Sequence, residues 1–90
     1  MCLGIPGQVV EVVDPAEALA AVDVSGVRRT ISLRLVAGEG VAVGDWVLVH
    51  VGFALSVIDA AEAATTLDQI KQLGQPYVDE MDAFSQTEIV

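Results

Sequence analysis

Valine-rich stretches in which apolar and polar residues alternate fill the first half of the chain and predict strands over Gln8 to Val13, Leu19 to Val24 and Val27 to Leu33. Asp14-Pro15 separates the first from the second, because proline has no N–H to give to a ladder. Ser25-Gly26 joins the second to the third as a two-residue hairpin turn, with Gly26 free to take positive φ. In that hairpin Val22, Val24, Ile31 and Leu33 share one face, and Asp23, Arg28, Thr30 and Ser32 share the other. Gly38, Gly40 and Gly44 mark a loop, with a short strand expected around Val41 and Val43. Trp46 to Val51 and Phe53 to Ile58, split at Gly52, complete the set. In Trp46 to Val51 the alternation sends Val47, Val49 and Val51 inward and leaves Trp46, Leu48 and His50 on the outer surface, partly under whatever packs there. Five short strands with frequent turns predict a small closed or nearly closed β-barrel, an architecture that also removes aggregation-prone edges.

The pattern then changes to a helical period. Asp59 with Glu62 three residues on has the spacing of an N-terminal cap, and Ala63, Leu67 and Ile70 fall on one face with Leu73 at its margin. Gly74 ends the helix and Pro76 keeps it ended. A helix this short needs the barrel or a partner to dock on. From Gln75 to Val90 the chain carries Asp79, Glu80, Asp82 and Glu88 and no basic residue, which reads as a mobile acidic tail weakly anchored by Tyr77, Met81 and Phe84. The expected organisation is a barrel plus helix over residues 1–74 and an acidic tail, disordered or weakly docked, over 75–90.

Composition narrows the function. Ninety residues allow one domain with one small core, and a 53% hydrophobic content is enough to fill it. Four basic against thirteen acidic residues give a formal charge of −9, which disfavours nucleic acid and anionic membrane surfaces. No long apolar run predicts a membrane span, and the start of the chain lacks the pattern of a secretory signal. One cysteine cannot make an internal disulfide, which fits a reducing, cytoplasmic setting. Protein and metal partners remain.

That one cysteine is Cys2, inside Met1-Cys2-Leu3-Gly4-Ile5-Pro6-Gly7. Removal of Met1, expected before so small a side chain, would place the α-amine beside the thiol and favour thiolate, amines titrating near ~8 and thiols near ~8.5. The only histidine is His50. One cysteine and one histidine cannot build a four-ligand structural zinc site, and no phosphate-cradling loop, dinucleotide fingerprint or nucleophile elbow is present. The inventory is poor for a self-sufficient enzyme and better suited to a half-site completed by a partner. Cys2 and His50 meet only if the N-terminal segment folds back beside the fourth strand.

Two segments carry a likeness to a known family. Met1-Cys2-Leu3-Gly4-Ile5-Pro6-Gly7-Gln8-Val9 and Gly44-Asp45-Trp46-Val47-Leu48-Val49-His50-Val51-Gly52-Phe53-Ala54, in that order, closely resemble the HypC/HupF family of [NiFe]-hydrogenase maturation chaperones. The likeness runs from Met1 to about Leu73. It implies an OB-like five-stranded β-barrel with a C-terminal helix. It also implies a non-catalytic scaffold that pairs with a HypD-type iron-sulfur protein and binds the precursor of the hydrogenase large subunit. The implied cargo is iron carrying cyanide and carbon monoxide, held transiently in the partner complex and not by the isolated chain. The family's cysteine maps onto Cys2 and its histidine onto His50, the latter as an iron ligand or as a hydrogen-bonding neighbour of the site. Leu3, Gly4, Ile5, Pro6 and Gly7, with Cys2, are the expected partner-docking segment. The rival reading is a pure interaction module whose Cys2 contacts a client and never binds iron.

Overall fold

The computed structural model describes residues 4–86. Among these, five strands close into a barrel in the order β1-β2-β3-β5-β4. They are β1 (Ile5–Asp14), β2 (Leu19–Val24), β3 (Val27–Ser32), β4 (Trp46–His50) and β5 (Phe53–Ile58), followed by helices α1 (Ala60–Leu73) and α2 (Gln75–Gln86). A 3-10 segment, Arg34–Glu39, follows β3. The mainly β, five-stranded barrel expected from the alternation is the observed fold. No described helix is long and apolar enough to cross a membrane.

β1 holds the barrel together by pairing on both edges. Ile5, Pro6, Gly7 and Gln8 pair with Val49, Leu48, Val47 and Trp46 of β4, and from Gln8 to Asp14 the strand pairs with β2. β1 therefore starts three residues before the valine run. A proline is accommodated at Pro6 because β2 pairs β1 only from Gln8 on, so one edge carries no ladder to interrupt. Strict alternation would carry Glu11 inward after Ile5, Gly7 and Val9. A register shift between Val9 and Glu11 prevents this, and Glu11 is exposed.

The interior is aliphatic. Ile5, Val9, Ala20, Val22, Ile31, Val47 and Ala54 are each 0% exposed. The inward face predicted for the β2–β3 hairpin (Val22, Val24, Ile31, Leu33) is buried, and Ser32, expected outside, is buried too. Ser32 sits at the seam: β3 meets β5 at Ser32 and Phe53, and the Ser32 amide donates to the Gly52 carbonyl at 2.9 Å. Ser25 and Gly26 have φ of 51° and 89°, the double positive of a tight hairpin turn.

Two strand expectations need correction. Val41 and Val43 lie in a loop, where the Asp45 carboxylate accepts from the Ala42 amide at 2.9 Å and the chain bends away from any strand partner. Val51 does not fill the barrel with Val47 and Val49. It enters the β4–β5 turn with φ 48°, beside Gly52 at 83°, and is 55% exposed. A β-branched residue in that conformation is strained, on the order of 1–2 kcal/mol, and the adjoining barrel closure holds it there.

α1 starts as its sequence predicts, with the Asp59 carboxylate accepting from the Glu62 amide at 2.7 Å. Ala63 and Ile70 are buried, whereas Leu73 is exposed. Gly74, at φ 76°, ends the helix with its amide on the Lys71 carbonyl.

The larger difference lies beyond Gly74. Residues 75–86, expected as an acidic tail either disordered or weakly docked through Tyr77, Met81 and Phe84, form α2. Pro76, expected to keep α1 stopped, is the second residue of this new helix; a missing N–H and fixed φ suit a first turn. Tyr77, Met81 and Phe84, four and three residues apart, share one face. Phe84 is 3% exposed within the barrel's apolar cluster, and Tyr77 and Met81 pack against it. The Arg29 Nε donates to the Ser85 carbonyl at 2.9 Å, placing a cation at the C-terminal end of α2, where the helix dipole favours it. Nothing in the helix's own end chemistry supplies this, since its first turn has no acidic and its last turn no basic residue.

Two outcomes follow from this packing. A methyl group on Gly7 would strike Val22 Cγ1 and stand 2.8 Å from Val24 Cγ2. Gly7→Ala is therefore expected to destabilise the fold by about 1–3 kcal/mol, read as a lowered Tm in thermal denaturation. Phe84→Ala removes an anchor worth roughly 3 kcal/mol, more than a twelve-residue helix holds in isolation. Hydrogen exchange should then show residues 75–86 losing protection while the barrel amides keep theirs; equal protection in α2 would refute the anchoring.

Candidate functional site

His50 is the last residue of β4, and its position relative to the N-terminal segment is set by backbone pairing. The antiparallel register that joins Pro6 to Leu48 and Ile5 to Val49 brings the start of β1 to the end of β4. Gly4 continues that approach. A Cβ built on it would lie 2.9 Å from both Leu48 Cγ and the Val49 carbonyl oxygen, so the chain enters the barrel pressed against the residues just before His50. From Gly4 on, the chain thus runs beside the fourth strand. Cys2 and Leu3 lie outside the described residues.

Gly4, Ile5, Pro6 and Gly7, expected in a docking segment, are all buried. Ile5 faces the core, and the space beside Gly7 is taken by the barrel's own Val22 and Val24. These residues form part of the barrel wall. On the outer face of β4, Trp46, Leu48 and His50 are half-buried, as the alternation predicts, with α1 and α2 both packed on the strand.

The His50 imidazole meets a carboxylate that the sequence pattern assigned to the tail. Its Nδ1 lies 3.2 Å from Glu80 Oε2 and 3.3 Å from Oε1. The imidazole is 38% exposed and the Glu80 side chain 16%. Glu80 is three residues after Tyr77 and four before Phe84, so the helical spacing of those two anchors carried a signal for its facing the barrel. Among the described residues no three His, Cys, Asp or Glu side chains cluster to hold a metal ion. His50 and Glu80 form a pair, and a metal there needs further donors from outside the described set. A separate apolar groove lies between the β1–β2 connection and the 3-10 segment, lined by Val12, Pro15, Leu19, Leu33 and Val36 among others, with no residue from β4 or α2.

Residues 1–70 match the sequence profile of the HupF/HypC family. Hydrogenase maturation factor HypC of Rhodobacter capsulatus is 51% identical over 78 residues, covering 83% of this chain and 80% of that protein. Hydrogenase maturation factor HybG of Escherichia coli K12 is 47% identical over 75 residues, covering 81% of this chain and 92% of that protein. A Proteus vulgaris protein named Frd operon uncharacterized protein C is 49% identical over 86 residues, covering 93% of this chain and 88% of its own length. With its barrel, its N-terminal cysteine motif and this extent of identity, the chain belongs to the HupF/HypC family.

Proposed function

We propose that this protein is a hydrogenase maturation chaperone in which Cys2 and His50 form one half of a site for an iron unit, completed by a partner protein. As a member of its family it is a maturation factor and not a catalyst. The observation that carries the reading is the β1–β4 register, which runs the chain leading to Cys2 along the strand that ends in His50. Two peptide units span at most about 7 Å, so connectivity alone keeps the Cys2 backbone near Gly4.

The chemistry suits the cargo. Thiolate is a strongly donating, soft ligand for an iron that carries cyanide and carbon monoxide, and a residue at the chain's front exchanges readily between two macromolecules. Imidazole beside it serves as a second ligand or as a hydrogen-bonding group to a bound cyanide. Cys2 and Leu3 present the docking surface, with Gly4, Ile5, Pro6 and Gly7 as its rigid backing. A HypD-type iron-sulfur protein supplies the remaining ligands, and the large-subunit precursor of a [NiFe]-hydrogenase receives the iron in the cytoplasm. The acidic surface favours such protein partners over nucleic acid despite the barrel type.

Copurification with the HypD-type partner, followed by iron analysis and infrared spectroscopy, tests the reading, because cyanide and carbon monoxide stretches have no counterpart in bare protein. Cys2→Ser is expected to retain the circular dichroism of the parent and to abolish hydrogenase maturation; maturation at the parental rate would overturn the role of Cys2. His50→Ala is expected to leave the barrel folded and lower the iron retained by the purified complex several-fold. Undiminished iron would remove His50 from the site.

A further inference from the structure

α2 lies beyond residues 1–70, the part of the chain that the family profile covers, yet it delivers a carboxylate to the one histidine. We propose that Glu80 is a positioning residue for His50, its carboxylate holding the proton on Nδ1 and leaving the lone pair of Nε2 for the incoming iron. The inference rests on the reading of His50 as part of the iron site and goes beyond it.

The argument begins with what a carboxylate can do. An ionised carboxylate accepts hydrogen bonds and donates none, so the ring nitrogen facing it must carry hydrogen. Nδ1 is that nitrogen, lying between the two Glu80 oxygens at 3.2 and 3.3 Å. A neutral imidazole has one N–H and one lone pair, so assigning hydrogen to Nδ1 assigns the lone pair to Nε2. Carboxylates behind metal-binding histidines act in this way, fixing tautomer and ring orientation and raising the basicity of the other nitrogen.

Glu80 is not an incidental surface acid. Its side chain is 16% exposed, and a carboxylate this covered requires a donor. The Arg29 guanidinium on the adjoining β3 is bonded to the Ser85 and Arg28 carbonyls instead. The helix that carries Glu80 is held by Phe84 in the core and by a bond from the Tyr77 hydroxyl to Ser25 Oγ at 3.4 Å, so its carboxylate is positioned on both sides along α2.

Having one histidine makes the test direct. Long-range nitrogen–proton correlation spectra of the chain alone, without iron or partner, report which ring nitrogen bears the proton. They are recorded in alkaline buffer, and the readout is the ratio of the two neutral tautomers. The parent chain is expected to show mainly the Nδ1–H form, and Glu80→Ala a several-fold shift toward the Nε2–H form that predominates for a histidine side chain in water. A parent chain that is mainly Nε2–H overturns the proposal, and so does an unchanged ratio in a folded Glu80→Ala. The parent measurement needs no variant, so a folding failure in Glu80→Ala leaves the test decisive. In the complex with the HypD-type partner, Glu80→Ala should also retain several-fold less iron at unchanged partner affinity. The tautomer is read without iron, so its failure removes the positioning role, whereas the iron reading itself is decided by the Cys2 and His50 variants.

Discussion

The double pairing of β1 is the constraint on which the rest of the structure depends. Its first residues ladder with β4 and the remainder with β2, so one strand joins two walls of the barrel. The crossing requires the β1 backbone to pass against Val22 and Val24 with no side chain between them, which is why Gly7 stands there. Shifts of register along β1 coil it around the core and turn Glu11 outward, keeping a charge from an interior with no partner for it. The same strand brings Gly4 against Leu48 and Val49, the residues just before His50. The barrel's closure and the approach of Gly4 to the end of β4 therefore arise from one set of backbone hydrogen bonds.

Around that frame the chain pairs His50 with Glu80. His50 ends a strand whose inward residues are packed, so its backbone is rigid while its ring remains partly open. The next residue, Val51, takes a strained left-handed conformation so that the β4–β5 turn can begin immediately. Glu80 reaches the ring from a helix fastened by Tyr77, Met81 and Phe84. Among the described residues, one imidazole and one carboxylate are too few donors for a resident metal.

Much of the barrel was legible from alternation alone. Strand positions, the Ser25-Gly26 turn, the Asp59 cap and the outward set Trp46, Leu48 and His50 all follow from local periodicity and turn chemistry. The departures share a cause. Val41 and Val43 alternate like a strand, yet the Asp45 cap and the path of the loop leave them no partner. Val51 is in phase with Val47 and Val49, but the turn starts one residue before the phase would end. Residues 75–86 are acidic and lack helpful end charges, so local propensity is neutral at best. Their helix exists because the barrel end accepts Phe84 and because Arg29 meets the Ser85 carbonyl.

By itself the sequence determined a mainly β domain with an N-terminal thiol, one imidazole, too few ligands for a structural metal and a charge unsuited to nucleic acid. Each of these rests on composition or on spacing within a few residues, where local sterics and hydrogen bonding decide the outcome. Only the tertiary structure decided that β1 runs beside β4, that Gly4 to Gly7 are wall and not surface, and that Glu80 faces His50. Those pairings join residues distant along the chain. Their stability comes from burying apolar surface between elements, a quantity no local pattern contains.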